Sequence, residues 1–373
     1  MPRVTPVKMP KWGLSMQEGT IVAWWKEEGA EVAEGEDLVD IETSKITNVC
    51  ESPVAGVLTK IVAGPGEALP VGALIGVVAD ADASQAQVEA FIADFQMNYV
   101  PPEVGDEGVE VLKFATVDAG GKTIRVGRSG PEEGTPVVLI HGYSGDLNSW
   151  LFNIGALSAV APVIAVDLPG HGGSSKDVGD GSLTSLADTV AAALDTLGVA
   201  EAHLIGHSLG AAVAARLAID HTGLARSLTL IAPFGLSAAG PSEEFLTGVI
   251  DAQRARDLKP VMEMLLADPA MVTKGMVEDV LKFKRTDGVE EALSALRDRM
   301  VEGKDAATLR ADLPAIPSAL VIASRTDRIV GAPDETALPR GFTIVWIDGA
   351  GHMPQLEKAS EVNNLLVNNI SSS

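Results

Sequence analysis

A serine between glycines, in Gly206-His-Ser-Leu-Gly210, stands where a strand-like run meets a helix-like run. Residues 202–206 are typical of a buried strand, and the alanine-rich residues 211–218 favour a helix. Glycines on both sides of Ser208 allow a tight turn that strains the serine outward, and the following helix N-terminus adds a positive dipole. This strand–turn–helix unit predicts a reactive serine at the carboxyl end of a strand, in a sheet that helices cover.

Apolar runs alternate with helical patterns from about Val111 to the end of the chain. Several runs are continuously apolar, as expected of strands covered on both faces, and helical stretches such as 183–197 lie between them. The alternation predicts a doubly wound, mostly parallel sheet in a domain that spans 111–373. The predicted strands are 111–117, 122–128, 136–141, 162–167, 202–206, 227–232, 318–323 and 342–347.

Residues 236–312 interrupt this alternation between the sixth and seventh predicted strands. They are predicted to form helices rich in leucine and methionine. Such an insertion is typical of a helical cap placed over a sheet. Methionine usually packs in a core, although it also suits an adaptable binding surface.

The stretch 111–373 resembles the α/β-hydrolase fold, and all the major landmarks of that fold are present. Its catalytic residues follow in the order nucleophile, acid, histidine. Only two histidines follow Ser208 in the chain. His221 lies at the end of the next helix, away from the strand ends, whereas His352 comes just after the last predicted strand. The resemblance therefore implies that His352 is the base for Ser208.

Two aspartates compete for the role of the acid. Asp327 follows the predicted strand 318–323, at the edge of the sheet where open α/β sheets place their sites. Asp334 lies further from the strand end, in a segment that contains proline, and ranks second.

The loop His141-Gly-Tyr-Ser-Gly145 resembles the loop that supplies one oxyanion-hole amide in this fold. We assign the backbone N–H groups of Tyr143 and Leu209 to that hole. His141 is predicted to hold the loop rather than to act as a base. The loop that contains His171 is also predicted to be structural, with His171 as a weaker functional candidate.

An internal repeat with an offset of 37 residues marks a first domain at residues 1–80. Short apolar runs separated by glycine turns predict short strands, and apolar positions such as Ile21 and Leu58 keep the same offset. Two copies predict two similar small sheets that face each other across a pseudo-twofold axis. The repeated glycines are Gly19, Gly29 and Gly35, which recur as Gly56, Gly66 and Gly72.

The segment 40–47 lies between the two copies, and Lys45 falls where one strand is predicted to turn into the next. The arrangement resembles the lipoyl domain of 2-oxo acid dehydrogenase complexes over about residues 4–80, including Glu42-Thr-Ser-Lys45. In that family the hairpin lysine carries lipoate in amide linkage, which the resemblance places on Lys45. Related biotin domains usually flank their lysine with methionines. The serine and isoleucine on either side here favour lipoate.

Residues 81–110 are predicted to be an acidic linker. Pro101, Pro102 and Gly105 break any regular element there. Upstream, apolar residues at helical spacing and a Ser84–Gln87 capping box fit a short docked helix at about 84–96. The solvated spacer and the docked helix both stay open.

The charge balance restricts the partners of the chain. Its 28 Lys and Arg residues stand against 51 Asp and Glu residues, which gives a formal net charge of −23. Such a chain is unsuited to neutralising nucleic-acid phosphates or to binding an anionic membrane. The single cysteine, Cys50, excludes an internal disulfide and fits a reducing compartment, and the N-terminal residues lack an apolar signal core. We expect a soluble, cytoplasmic protein that binds neither nucleic acid nor membranes.

A small all-β lipoyl-type domain before a capped α/β-hydrolase sheet resembles the dihydrolipoamide acetyltransferase component of acetoin dehydrogenase complexes. The usual acyltransferase signature, His-x-x-x-Asp-Gly, does not occur in this chain. The resemblance therefore implies that Ser208 carries acetyl from a lipoyl thioester on Lys45 to coenzyme A, while the cap excludes water. It also implies a homo-oligomer within a multienzyme complex, with decarboxylase/dehydrogenase and dihydrolipoamide dehydrogenase components as partners.

One other enzymatic function stays open. The second domain would be an esterase or thioesterase, with the lipoyl-like domain as a docking module. A carrier with an inactive hydrolase domain is disfavoured because the triad is complete. For coenzyme A, the densest basic run, Lys282-Phe-Lys-Arg285, is a candidate phosphate site, although a solvated helix face is the simpler interpretation.

Overall fold

The computed structural model describes residues 2–10, 18–43, 47–99, 112–237, 240–313 and 318–372. These belong to two units, residues 1–109 and 110–373. In the described ranges, no helix has both the length and the apolar character that crossing a membrane requires.

The described residues of the first unit form two four-stranded antiparallel sheets. One sheet has the order β1-β8-β6-β3 and the other has the order β5-β4-β2-β7. The sequence-based prediction of two similar sheets is therefore confirmed. The strands are β1 (Val4–Lys8), β2 (Glu18–Trp24), β3 (Glu31–Val32), β4 (Asp37–Glu42), β5 (Thr47–Glu51), β6 (Gly56–Ile61), β7 (Ala68–Pro70) and β8 (Leu74–Ala79).

The repeat is visible in the core and in the turns. Ile21 and its counterpart Leu58 are both fully buried. Gly29 and its counterpart Gly66 both have a left-handed backbone, with φ of 94° and 85°, which a side chain would strain. Strands β2, β3 and β4 of the first copy correspond to β6, β7 and β8 of the second. Each sheet therefore takes its short strand, β3 or β7, from the other copy.

The helix α1 (Gln85–Asn98) follows β8 and packs against it within the first unit. Its buried Val88 contacts a cluster with Leu74 and Val77, and the predicted Ser84 capping box is present. The Tyr99 hydroxyl donates to the carbonyl oxygen of Val71 at 2.8 Å. Of the two alternatives for this segment, the structure has the docked helix.

A single eight-stranded sheet forms the centre of the described part of the second unit. Its order is β16-β15-β14-β13-β11-β12-β10-β9. The pairs β9–β10 and β10–β12 are antiparallel, and the other neighbouring pairs are parallel. The predicted fold class, a mostly parallel α/β sheet, is confirmed. The strands are β9 (Lys113–Ala119), β10 (Lys122–Ser129), β11 (Val137–Ile140), β12 (Val163–Val166), β13 (Ala202–His207), β14 (Ala225–Ile231), β15 (Ala319–Ala323) and β16 (Phe342–Trp346).

Helices flank the sheet and form an insertion between β14 and β15. The flanking helices are α2 (Ile154–Ser158), α3 (Leu183–Thr196), α4 (Leu209–Asp220), α10 (Pro354–Glu357) and α11 (Ala359–Ser371). The inserted helices, called the cap below, are α5 (Glu243–Asp251), α6 (Ala255–Glu263), α7 (Lys274–Lys284), α8 (Val289–Glu302) and α9 (Lys304–Asp312).

Candidate active site

Ser208 lies at the sharp turn between β13 and α4. Its φ of 54° is a left-handed conformation that side chains rarely adopt, so the turn is strained. An added Cβ on Gly206 or on Gly210 would lie only 2.2 Å from a backbone oxygen, so both positions require glycine. The serine is 3 % exposed.

Asp327 and His352 form a buried hydrogen-bonded pair. His352 Nδ1 lies 2.8 Å from Asp327 Oδ2, and Asp327 Oδ1 accepts the N–H groups of Ile329 and Val330. Burial raises the pKa of Asp327, but the charge and hydrogen bond of His352 and these backbone bonds outweigh it, so the pKa lies below its ordinary value. Because a carboxylate only accepts hydrogen bonds, Nδ1 carries the proton of this bond, and Nε2 is the ring nitrogen available for proton transfer.

Asp334 and His221, the alternatives for the acid and the base, make other contacts. Asp334 caps a short 3-10 turn by accepting from the N–H and hydroxyl of Thr336. His221 ends α4, is partly exposed and pairs with Asp188 at 3.1 Å. The geometry therefore favours Asp327 and His352.

The loop that carries His352, called the histidine loop below, packs beside the turn at Ser208. His207 Nε2 donates to the carbonyl oxygen of His352 at 2.8 Å, and the two rings are 4.8 Å apart. Among the described residues, hydrogen bonds join His352 to Asp327 but not to Ser208. Such a serine–base bond often tightens only when substrate binds.

Two backbone N–H groups near the serine are available as donors. An added Cβ on Gly142 would lie 3.0 Å from Ser208 Cβ, so the loop that carries Tyr143 passes directly beside the serine. Leu209 is the first residue of α4, where backbone N–H groups lack partners in the helix. Within the described ranges, neither Tyr143 nor Leu209 donates its N–H to another group. Two N–H donors placed in this way beside a serine can stabilise an oxyanion.

Two buried histidines hold the loop of Tyr143. His141 Nε2 accepts the N–H of Leu168 at 3.0 Å, and His171 Nε2 accepts the N–H of Ser144 at 3.1 Å. Burial lowers the pKa of His171 to about 3, so the ring stays neutral and keeps this acceptor. Both side chains are occupied in structural contacts.

Two side chains that no sequence motif indicates connect the site to the cap. The Tyr143 hydroxyl donates to the carbonyl oxygen of Leu293 in α8 at 3.1 Å and lies 3.4 Å from that of Leu246 in α5. Glu357 is a buried carboxylate whose acceptors face backbone N–H groups near His352. The sequence feature that could have indicated Glu357 is its position five residues after His352, in a segment whose other residues have the pattern of buried residues.

Lys45 lies outside the described residues. The strands on either side of it in the chain, β4 and β5, pair antiparallel, with Glu42 opposite Thr47. This pairing suits a domain that carries a group on a hairpin lysine. Burial raises the pKa of the Cys50 thiol in β5 to about 12, so that thiol stays protonated. Within the described ranges, no group of three or more His, Cys, Asp and Glu could hold a metal ion.

One cation of the basic run in the cap, Lys284, has a structural contact. Lys284 is buried, and its ammonium group donates to the carbonyl oxygens of Ile250 and Ala252 at the C-terminal end of α5. A lysine in this position stabilises a helix end and satisfies its carbonyl groups. The central cation of the run is therefore unavailable to coenzyme A.

Comparisons with known proteins agree with both units. A model described as "Alpha/beta hydrolase family" matches residues 137–365, and one described as "Biotin-requiring enzyme" matches residues 5–78. The chain is 43 % identical over 368 residues to the dihydrolipoyllysine-residue acetyltransferase component of the acetoin cleaving system of Pseudomonas putida, with 98 % of each chain covered. It is 40 % identical to the component of the same name from Cupriavidus necator, over 98 % of this chain and 97 % of that one.

The solved structures show the fold of the second unit. A meta-cleavage product hydrolase from Pseudomonas fluorescens superposes with a TM-score of 0.62 at 22 % identity, covering 71 % of this chain and 99 % of that one.

Proposed function

This chain belongs to the family of dihydrolipoyllysine-residue acetyltransferase components of acetoin cleaving systems, and we propose that its second unit transfers acetyl from a dihydrolipoyl thioester to coenzyme A through an acyl-enzyme on Ser208. The observation that carries the mechanism is the placement of the strained serine beside the buried Asp327–His352 pair. These groups supply the nucleophile, the base and the orienting carboxylate of an acyl transfer.

In the first half of the reaction, Ser208 Oγ attacks the carbonyl carbon of the thioester. His352 Nε2 takes the hydroxyl proton, and Asp327 stabilises the resulting imidazolium. The N–H groups of Tyr143 and Leu209 donate to the oxyanion. The carbon–sulfur bond then breaks, and His352 returns the proton to the departing thiolate.

In the second half, the thiol of coenzyme A gives its proton to His352 and its sulfur attacks the acyl carbon. The bond to Ser208 Oγ breaks, and the serine recovers its proton. Water competes with the thiol as acceptor, so a transferase must exclude it. The low exposure of Ser208 and His352, 3 % and 2 %, supports this exclusion.

We further propose that Lys45 carries lipoate. When bound, lipoate supplies a thiol on a long flexible arm, which raises the effective concentration of the thioester at each site it visits. The chain's own contribution is the pairing of β4 with β5 on either side of Lys45. The lipoyl arm would connect this chain to the decarboxylase/dehydrogenase and dihydrolipoamide dehydrogenase components, within a homo-oligomer.

The test uses the purified full chain with acetyl-dihydrolipoamide, with and without coenzyme A. We expect acetyl-CoA to form, and Ser208→Ala to lower its rate by orders of magnitude. Ser360→Ala, which changes an exposed serine in α11, is the matched control. Release of acetate at a rate that coenzyme A does not change would instead identify a hydrolase of the esterase or thioesterase type.

A further inference from the structure

Residues 265–267 lie between the cap helices α6 and α7 and are called the cap segment below. This segment lies against the backbone of the histidine loop. The N–H of His352 donates to the carbonyl oxygen of Leu265 at 2.7 Å. An added Cβ on Gly351 would lie 2.7 Å from the nitrogen of Ala267 and 2.8 Å from the oxygen of Leu265. Any side chain at position 351 would therefore push this cap segment away from the catalytic histidine.

Glu357 connects the same two segments through its carboxylate. Its Oε2 accepts the N–H of Ala267 at 2.7 Å. Its Oε1 accepts the N–H groups of Gly351 at 2.7 Å and of Met353 at 3.2 Å. These last two amides lie on either side of His352, so one carboxylate fixes the histidine backbone from both directions and holds the cap segment on it.

The segment separates buried groups from solvent. Ala267 is exposed, whereas Glu357 and His352 beneath it are 8 % and 2 % exposed. Arg328, which follows Asp327, donates to the carbonyl oxygen of Leu266 in the segment and to that of Glu263 just before it. The cap segment is thus fastened to both loops that carry the acid and the base.

Burial of a carboxylate is unfavourable unless hydrogen bonds compensate it. Burial raises the pKa of Glu357, and the three backbone hydrogen bonds oppose that change. No ion pair to this carboxylate occurs in the part of the chain that the structure describes. Its hydrogen-bond compensation comes from the amides on either side of His352 and in the cap segment, and the charge of His352 also lowers its pKa.

We propose that Glu357 is a positioning residue that sets how the acyl-enzyme divides between transfer to a thiol and hydrolysis. This rests on the proposed function. A cap segment held tightly on His352 keeps water from the base while the thiol occupies the site. A loosened segment admits water, and the same base then activates water instead of the thiol.

The variant Glu357→Gln makes the test specific. Its carbonyl oxygen can still accept from Gly351 and Met353, but its amide NH₂ cannot accept from Ala267. We expect the ratio of acetyl-CoA formed to acetate released to fall about tenfold, as loss of one hydrogen bond to a charged group allows, with the KM for coenzyme A nearly unchanged. Glu361→Gln, an exposed change in the next helix, should leave the ratio at its wild-type value.

Hydrogen exchange of peptides covering 265–267 gives a second measurement, and exchange should accelerate there in Glu357→Gln. If the glutamine variant does not fold, Glu357→Asp retains the charge and should lower the same ratio, because its shorter side chain cannot span both segments. An unchanged ratio in a folded variant, with both rates lowered equally, overturns the proposal. Absence of acetyl-CoA formation by the wild-type chain would overturn the proposed function instead.

Discussion

Removal of the Tyr143 hydroxyl tests directly how the loop of Tyr143 is held against the cap. Tyr143→Phe keeps the backbone N–H that we propose for the oxyanion hole and removes the hydroxyl, which donates to the carbonyl oxygen of Leu293 at 3.1 Å and lies 3.4 Å from that of Leu246. A neutral hydrogen bond of this kind contributes about 1 kcal/mol to stability. That corresponds to a lowering of Tm by about 2–4 °C for a unit of this size. Since the loop loses one anchor but keeps its amide, we expect kcat to fall about fivefold, far less than the 10²–10³ that deletion of an oxyanion donor costs.

The assay for Tyr143→Phe is acylation by p-nitrophenyl acetate together with inhibition by an aryl boronic acid, which forms a tetrahedral adduct with serine. Both acylation and boronate affinity should weaken by the same factor, because both depend on the oxyanion donors. Tyr99→Phe is a matched control, since its hydroxyl also bonds a carbonyl oxygen but in the first unit. Unchanged boronate affinity in Tyr143→Phe would refute the anchoring role. A loss above a hundredfold would mean that the hydroxyl acts in the chemistry itself.

Three further predictions follow from the same geometry. Asp327→Asn should lower kcat by about 10⁴, because the amide no longer fixes the histidine tautomer, whereas Asp334→Asn should cost less than twofold, measured as acetyl-CoA formation; the reverse order would reassign the acid. Lys45→Arg should remove the lipoyl mass increment from protein expressed with lipoate, and an increment that persists would place the modification elsewhere. Burial lowers the pKa of His171 and of His207 from 6.5 to about 3, so below pH 6.5 the unfolded chain binds protons that the folded chain does not. As the pH falls below 6.5, each histidine should therefore lower the free energy of unfolding by about 1.4 kcal/mol per pH unit. A free energy of unfolding in urea that stays constant from pH 6.5 to 5 would contradict this prediction.

Chain order and local pattern predicted the parts of the site that follow strands. The strand before Ser208 and the glycines around it are local features, and so is the position of His352 after the last strand. The same reasoning ranked Asp327 above Asp334, and the structure pairs Asp327 with the histidine. The sequence could predict that these residues lie close together because parallel strands bring their carboxyl ends to one edge of the sheet.

Residues that connect segments distant in the chain could not be predicted from the sequence. Glu357 and the Tyr143 hydroxyl bond to parts of the cap far away in the chain, and nothing in their own neighbourhood indicates those partners. The basic run at Lys284 is a second example, because local charge density does not show which of its cations is buried. The ammonium group of Lys284 bonds carbonyl oxygens at the end of α5, about 30 residues away in the chain, and only the folded cap shows this contact.

The exchange of short strands in the first unit affects how this domain can form during synthesis. Strand β2 pairs with β4 on one side and with β7 on the other, and β7 begins only at Ala68. When the ribosome has produced only the first copy, one edge of the sheet that carries β4 and β5 is still unpaired, although Lys45 has already been made. The intertwined repeat therefore lets neither sheet be completed from one copy alone, so the first domain can finish folding only after both copies have been made.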